Sequence, residues 1–268
     1  MKTVITAQND TLSEYLGKVW RYRAFILVLA KRDLKIKYAQ TFLGIVWSIV
    51  QPLVAVIVFT MVFGVLLSLE APYPYVLFVL SGVTCWNFFS YIFSQASNSL
   101  INGQDLIRKL SFPKIILPLS KVLVAFVELG FTLLLMIPVF IYYQSTVYWS
   151  ALFFPVVIFF ILIFSLGLSL ILAASTLRFR DLHHVIPFLV NFGIWFTPVF
   201  YPVSLIPAQF KNLIYINPMA SLIGLARWSL FGESISYMAL FGVLISVMFL
   251  FIGVIYFKRV EDRISETV

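Results

Sequence analysis

The sequence predicts an all-α polytopic membrane protein with six transmembrane helices, an N-terminal amphipathic interfacial helix, and short re-entrant or periplasmic helices between spans five and six. Of its 268 residues, 62% are hydrophobic and 11% are charged, too few charges to cover a soluble globule. Apolar stretches close to the ~20 residues that cross a bilayer recur along the chain. The predicted spans are 42–69, 76–98, 122–143, 151–176, 186–202 and 237–257.

The positive charges predict the orientation of these spans. The formal net charge is +8, and every lysine and arginine except Lys211 and Arg227 falls on one side of the predicted topology. Cytoplasmic loops carry the excess of basic residues, so both termini are predicted to be cytoplasmic. This placement of charge favours a topology signal over nucleic-acid binding. The chain divides into a cytoplasmic arm (1–41), a six-span domain (42–257) and a charged tail (258–268).

The N-terminal arm has the pattern of an interfacial helix. Thr11 and Glu14 have capping-box spacing, which places the helix start at this point. Its apolar residues recur at helical spacing and are Leu12, Tyr15, Leu16, Val19 and Trp20. Such a helix lies on an anionic membrane surface or packs on the protein's own cytoplasmic face.

Four prolines interrupt residues 198–236, namely Pro198, Pro202, Pro207 and Pro218. The stretch is too apolar for a free loop and too often broken for a plain crossing. Short re-entrant or surface helices are therefore expected here, over the external mouth of a cavity.

Residues for enzymatic chemistry are sparse. Glu128 is the one ionisable residue within the predicted spans, and it is expected to pair with a basic residue or to bond a neighbouring helix. His183 and His184 lie beside Asp181 without a third ligand, so neither catalysis nor a metal site is expected. The single cysteine, Cys85, excludes a disulfide framework.

The sequence lacks a phosphate-binding loop, so transport against a gradient would need energy from a partner docked on the cytoplasmic loops. The best candidate for that contact is 102–113, NGQDLIRKLSFP, where Leu106, Ile107 and Leu110 form an apolar ridge and Pro113 is expected to stop the helix. The alternative is an ordinary connecting helix.

Aromatic residues are abundant, with 28 Phe, 13 Tyr and 6 Trp, more than two interfacial belts require. They form stripes on spans one, two and five, which suit sugar rings but also serve helix packing or lipid contact. Two amides at membrane depth, Gln51 and Asn191, favour a wetted interior. The residues predicted to line this interior are Trp47, Gln51, Phe59, Phe89, Asn191 and Trp195.

Four ordered motifs resemble one family. Residues Arg32–Gly64, RDLKIKYAQTFLGIVWSIVQPLVAVIVFTMVFG, closely resemble the opening of the membrane subunit of ABC exporters for lipid-linked polysaccharides, the O-antigen, capsule and teichoic-acid permeases. Phe112–Ser120, FPKIILPLS, is similar to that family's loop motif after the coupling helix. Arg180–Tyr201, RDLHHVIPFLVNFGIWFTPVFY, is similar to its fifth span, and Asn217-Pro218-Met219 to the motif after its external re-entrant helices.

The resemblance implies that two copies of the chain form a continuous channel and that two separate ATPase subunits, which bind ATP and Mg, dock at the cytoplasmic face. It implies no cofactor on this chain. It also implies that the arm at 12–23 guards the cytoplasmic entrance, that 102–112 is the coupling helix, and that helices within 203–230 close the periplasmic exit. The residues expected to couple to the ATPase are Leu106, Ile107, Arg108, Lys109, Leu110, Phe112, Arg180 and Asp181.

The cargo implied by the resemblance is an undecaprenyl-linked polysaccharide that crosses the bacterial inner membrane. O-antigen is expected because it is the most populous branch. Capsular or teichoic-acid export and drug or lipid export by the same superfamily are alternatives. A membrane glycosyl- or acyltransferase is a hypothesis of another class, and it would need clustered acids or histidines at one membrane face.

Overall fold

The computed structural model describes residues 11–39, 44–179 and 181–267, and every regular element in these ranges is helical. The predicted boundary between arm and spans, at 41–42, lies outside them. The α-helices are α1 (Leu12–Arg21), α2 (Arg23–Ala39), α3 (Trp47–Phe59), α4 (Tyr75–Ser97), α5 (Ser99–Asn102), α6 (Gln104–Lys109), α7 (Ile116–Tyr142), α8 (Phe154–Thr176), α9 (Leu182–Gly193), α10 (Lys211–Ile214), α11 (Pro218–Phe231) and α12 (Ala239–Thr267).

Five helical segments in the described part of the chain are long and apolar enough to cross a membrane. They confirm the predicted spans one to four and six, and they are Gly44–Leu66, Tyr75–Ser97, Ile116–Tyr142, Trp149–Thr176 and Ala239–Glu261. The short helices predicted after residue 203 are also present, as α10 and α11 with 3-10 turns before them.

The predicted fifth span, 186–202, is not a single long helix. Helix α9 has 12 residues, so it is about 18 Å long, and turns and bends occupy 194–201. Pro198 lacks an N–H group for a helical hydrogen bond, and the carbonyls of Pro198 and Val199 accept hydrogen bonds from Arg227. The helical prediction was wrong from Ile194 onward because of these contacts.

Helix α9 and the turns after it nevertheless run along the whole of α4. At one end the His183 Nδ1 lies 2.7 Å from Asn98 Oδ1, just past the last residue of α4. At the other end the Tyr75 hydroxyl, in the first turn of α4, donates to the Phe200 carbonyl. A 23-residue helix is about 34 Å long, so residues 183–200 cover that distance partly outside helical geometry.

The two ends of the chain meet at one end of the bundle. The Tyr15 hydroxyl on α1 donates to Glu261 Oε2 on α12 over 2.5 Å, and the Lys114 N–H donates to Glu261 Oε1 over 2.6 Å. We call this the arm end. The start of α4, residues 194–202 and α11 lie at the opposite end.

The core forms around α4, which packs against α7, α8 and α3. In the most apolar stretch of α4, 78% of the residues are buried, against 11% of the residues in the corresponding stretch of the segment that contains α3. Two buried hydroxyls in α4 donate to the preceding turn, Ser81 to the Phe78 carbonyl over 2.9 Å and Thr84 to the Leu80 carbonyl over 2.8 Å. These two therefore need no partner from another helix.

Helices α8 and α12 approach each other closely through two glycines. A Cβ atom added at Gly253 would lie 2.3 Å from the Gly167 carbonyl oxygen, and one added at Gly167 would lie 2.5 Å from the Leu250 nitrogen. These neighbours are backbone atoms that cannot rotate away. Small residues at such a contact let two membrane helices pack backbone to backbone.

We predict that Gly253→Ala destabilises the protein by about 1–3 kcal/mol, since the added methyl group forces α8 and α12 apart. A thiol-reactive dye that reports the heat-induced exposure of the buried Cys85 gives the unfolding midpoint. Gly130→Ala is the matched control, because a Cβ atom there meets nothing within 4 Å. Equal midpoints for the two variants would contradict the contact.

Candidate functional site

The arm helix α1 has two apolar faces. The predicted capping box is present, as Thr11 and Glu14 exchange hydrogen bonds between side chain and backbone. Tyr15 and Val19 are buried against the protein, whereas three residues on another face are exposed, namely Leu12, Leu16 and Trp20. Trp20 is 68% exposed with the Arg23 guanidinium 5.1 Å from its ring. One apolar face of the arm is thus docked on the protein, and the other is exposed.

The loop between α4 and α7 contains a shorter helix than predicted. Helix α6 ends at Lys109, and Leu110 is already extended with φ −132° and ψ 137°, so neither the range 102–112 nor the expected stop at Pro113 is correct. The ridge also divides. Leu106 and Ile107 pack against the core, whereas Leu110 is 50% exposed.

The other residues expected to couple to an ATPase do not form one continuous surface. Arg108 and Lys109 are exposed beside Leu110, so these three form one accessible surface, which we call the loop surface. Phe112 is buried and makes an edge contact with Phe25 of α2 at 5.1 Å between ring centroids. Asp181 is exposed before α9, and Arg180 lies outside the described residues.

Four of the six residues predicted to line an interior are exposed on this chain: Trp47, Gln51, Asn191 and Trp195. The remaining two are covered. Phe59 stacks on Phe200 at 4.6 Å, and Trp195 meets the same Phe200 edge-on at 4.9 Å. The structure thus brings Phe59 and Trp195 into one aromatic cluster at the end opposite the arm.

Phe89 is buried among the helices of the chain, with 6% of its surface exposed. Its ring stacks on Phe93 at 5.5 Å and on Phe164 of α8 at 5.6 Å. It reaches open space through a pocket of about 180 Å³ that Gly193 of α9 also lines.

A larger polar pocket of about 340 Å³ opens between α3, α4, α7 and α9. One face of α4 supplies half of the polar side chains that line it, and the others include Gln51 of α3 and Thr132 of α7. The α4 residues are Asn87, Ser90, Tyr91, Ser94 and Gln95. Sequence reasoning missed this face, although the spacing of Asn87, Ser90 and Ser94 by three and four residues is a helical period.

Glu128 lies at the edge of the polar pocket and is paired, as expected. The Lys37 Nζ donates to its Oε1 over 2.6 Å, and the Tyr38 hydroxyl donates to the same oxygen. Burial, and then the hydrogen bond to Glu128, raise the pKa of Tyr38 to about 12. Lys37 also lies 4.7 Å from the centre of the Tyr91 ring. The pocket therefore combines amides, hydroxyls and an aromatic face, and its ion pair is internally compensated.

Metal chemistry finds no support in the described ranges, where no three His, Cys, Asp or Glu side chains converge. His183 instead lies within hydrogen-bonding distance of Asn98.

A family model described as ABC-2 type transporter matches residues 24–231. The chain belongs to the ABC-2 type transporter family. It is 32% identical over 208 residues to the O-antigen export system permease protein RfbA of Myxococcus xanthus, which covers 76% of this chain and 79% of the relative. A Klebsiella pneumoniae permease of the same name is 29% identical over 90% of this chain and 93% of its own length. The polysialic acid transport protein KpsM of Escherichia coli is 22% identical over 86% and 91%, respectively.

Family membership makes this ABC-2 permease a non-catalytic transporter subunit. The membrane transferase hypothesis is therefore wrong. The resemblance expected from the four motifs is confirmed, and two of them now have a structural role, in residues 194–202 and in Asn217.

Arg227 of α11 holds residues 194–202 of the permease in place. It is 3% exposed, and its guanidinium donates to the carbonyls of Pro198 over 2.8 Å, Val199 over 2.7 Å and Phe78 over 3.2 Å. The guanidinium also lies 3.5 Å from the centre of the Phe78 ring. Burial lowers the pKa of Arg227, against the opposing effect of the nearby Tyr73 and Glu233. Its sequence signal was one lone basic residue among apolar ones.

Asn217 caps α11 and fastens the same stretch. Its Oδ1 accepts from the Met219 N–H over 3.0 Å, and its Nδ2 donates to Thr197 Oγ1 over 2.8 Å. The Asn-Pro-Met motif thus starts a helix, with Pro218 in its first turn, and ties that helix to the chain after α9.

We predict that Arg227→Met lowers the stability of the permease by several kcal/mol, because the carbonyls of Pro198 and Val199 lose the guanidinium donor at about 1–3 kcal/mol each. The Phe78 carbonyl loses one of two side-chain donors and keeps the Ser81 hydroxyl. Arg227→Lys should recover part of this loss, since an ammonium group still donates. Lys211→Met, which removes an exposed cation, is the control. Thermal unfolding in detergent measures the effect, and an Arg227→Met midpoint equal to that of the control would contradict the assignment.

Proposed function

We propose that this permease exports an undecaprenyl-linked polysaccharide, O-antigen in the first instance, across the bacterial inner membrane, as a homodimer with two ABC ATPase subunits. The observation that carries the cargo assignment is the similarity to two permeases named for O-antigen export, over most of both chains. The polysialic acid relative supports capsular polysaccharide as the second candidate.

The aromatic and amide surface supports a sugar polymer as cargo. A polymer that slides through many repeats needs weak and similar contacts, which aromatic faces and amides provide. The proposed path follows the exposed Trp47, Gln51, Asn191 and Trp195, and the polar pocket adjoins it at Gln51. Phe59 and Phe89 contribute from beneath this surface through the aromatic cluster and the smaller pocket.

A second copy of the chain would complete the path. Only 11% of the residues in the most apolar stretch of the segment that contains α3 are buried, and α9 exposes Phe188, Asn191 and Phe192. Exposed amides are costly against lipid, so a wet interior between two copies suits them better than hydrocarbon. This supports α3 and α9 as the helices that face the partner across the channel.

The proposed topology has six crossings with both termini in the cytoplasm. The contact of α1 with Glu261 supports an even number of crossings, and residues 183–200, which run along α4, are the proposed sixth. The arm end carries the basic residues of α1, α2 and the α6 loop, which supports a cytoplasmic location. Residues 194–202 and α11 then form the proposed periplasmic exit.

The ATPase would bind at the loop surface, Arg108, Lys109 and Leu110. These residues are exposed at the arm end, where α6 ends between two long spans. ATP and Mg would be bound by the partner subunits. Asp181, exposed before α9, would lie near the same interface.

We expect Leu110→Asp to uncouple the permease from its ATPase, because a charge buried in an apolar docking groove costs several kcal/mol. The measurements are co-purification with the ATPase and polysaccharide at the cell surface. Leu213→Asp is the matched control, since Leu213 is similarly exposed on α10, at the proposed periplasmic end. If Leu110→Asp assembles and exports like the control, the loop surface is not the docking site.

We expect cysteines at Gln51 and Asn191 to react with a water-soluble thiol reagent in the assembled transporter once Cys85 is replaced by alanine. Leu244→Cys serves as the control, because Leu244 is exposed on the apolar α12 and should face lipid. Uniform protection of both test positions in every nucleotide state would exclude them from the path.

A further inference from the structure

Glu261 joins three segments that are far apart in the sequence. It lies near the end of α12 and is 8% exposed. Its Oε2 accepts the Tyr15 hydroxyl of the arm over 2.5 Å, and its Oε1 accepts the Lys114 backbone N–H, after the α6 loop, over 2.6 Å. Each carboxylate oxygen thus binds a different segment, which makes Glu261 a common attachment point for the arm and the loop.

These two hydrogen bonds resist separation. Bonds to an ionised carboxylate are shorter and stronger than neutral ones. Tyr15 is 4% exposed, so water cannot readily replace the lost partner of its hydroxyl. Breaking either bond removes a hydrogen bond to the buried Glu261 carboxylate. Movement of Lys114 is therefore expected to shift Glu261 and, through it, Tyr15.

The α6 loop has space into which it can move. A pocket of about 230 Å³ lies between α6 and the ends of α8 and α12, with Ile107, Leu177 and Val260 among its walls. Glu261 and Lys114 line the same pocket. A load on the exposed Arg108 or Leu110 can thus displace α6 without compressing a packed core.

A movement of the arm would also move its exposed apolar face. Leu12, Leu16 and Trp20 point away from the protein, while Tyr15 and Val19 attach the helix. A further bond connects the arm's end to the loop, from the Tyr22 hydroxyl to the Ser111 carbonyl over 3.3 Å, but it is exposed. Of these two hydrogen bonds, the one between Tyr15 and Glu261 is therefore the buried one.

We propose that Glu261 is a latch through which displacement of the α6 loop repositions the N-terminal arm. The latch rests on the proposed function, in which an ATPase binds the loop surface. Tyr15 and Glu261 are positioning residues in it. ATP-driven movement of the loop is transmitted through Lys114 and Glu261 to the arm, so the cytoplasmic entrance responds to the state of the ATPase.

The test is hydrogen–deuterium exchange of residues 12–21 in the full-length permease, alone and in complex with its ATPase, in lipid nanodiscs. Tyr15→Phe keeps the buried ring and removes the hydroxyl. It should raise arm exchange about tenfold in the isolated permease, as expected for one charge-assisted hydrogen bond. Tyr256→Phe is the control. Tyr256 lies on α12, like Glu261, and the variant removes a partly exposed hydroxyl that lies 3.3 Å from Ser175 Oγ on α8.

In the complex, the unmodified arm should change its exchange between the nucleotide-free and ATP-bound states. Tyr15→Phe should abolish this response and reduce export while ATP hydrolysis continues. The Tyr15→Phe/Glu261→Gln double variant should be no worse than the more impaired single variant, because both changes break one contact.

Unchanged arm exchange in Tyr15→Phe, or a released arm with normal export, would overturn the latch. Failure of the unmodified permease to bind any ATPase would contradict the proposed function instead. The exchange of the isolated permease decides separately whether the Tyr15–Glu261 tie exists.

Discussion

The hydrogen bonds that Arg227 makes to backbone carbonyls are the interaction on which the transmembrane architecture depends. Within a bilayer, every backbone N–H and C=O must find a partner inside the protein, and a chain that leaves helical geometry loses those partners. Residues 194–201 leave it, and Arg227 supplies donors to Pro198 and Val199. The same guanidinium binds the Phe78 carbonyl of α4, so the irregular stretch is fastened to the most buried helix.

This fastening determines where the aromatic surface lies. Phe200 follows the two carbonyls that Arg227 holds, and its ring receives Phe59 and Phe63 at 4.6 and 4.7 Å. Trp195 contacts the same ring. The buried Arg227 cation thus positions an apolar cluster at one end of the bundle. The exposed faces of α3 and α9 extend from this cluster toward the arm end, which places the polar pocket and the aromatic cluster along one side of the molecule.

The arm end is held by ion pairs as well as by apolar packing. Helix α2 is joined to α7 by two ion pairs, Asp33 with Lys121 at 2.5 Å and Lys37 with Glu128 at 2.6 Å. Ion pairs of this kind fix the register of two helices more than they add stability. Glu261 adds a third connection, between α1, α12 and the loop. A movement at this end would break or form a few defined contacts there without disturbing the core around α4.

The sequence by itself determined the five long spans, the arm with its capping box, the need of Glu128 for a partner, and the family, because hydropathy, helical period and ordered motifs are local properties of a chain. Gln51 and Asn191 were also predicted to line a wetted interior, and that placement stays a prediction. Only the tertiary structure decided that residues 194–201 leave helical geometry after α9, that α6 ends at Lys109, and that the polar face of α4 meets Gln51. The positions of Arg227 and Glu261 likewise depend on partners 28 to 246 residues away. A pattern of neighbouring residues carries no information about such contacts, because a buried charge is stabilised by whichever distant groups the fold brings within hydrogen-bonding distance.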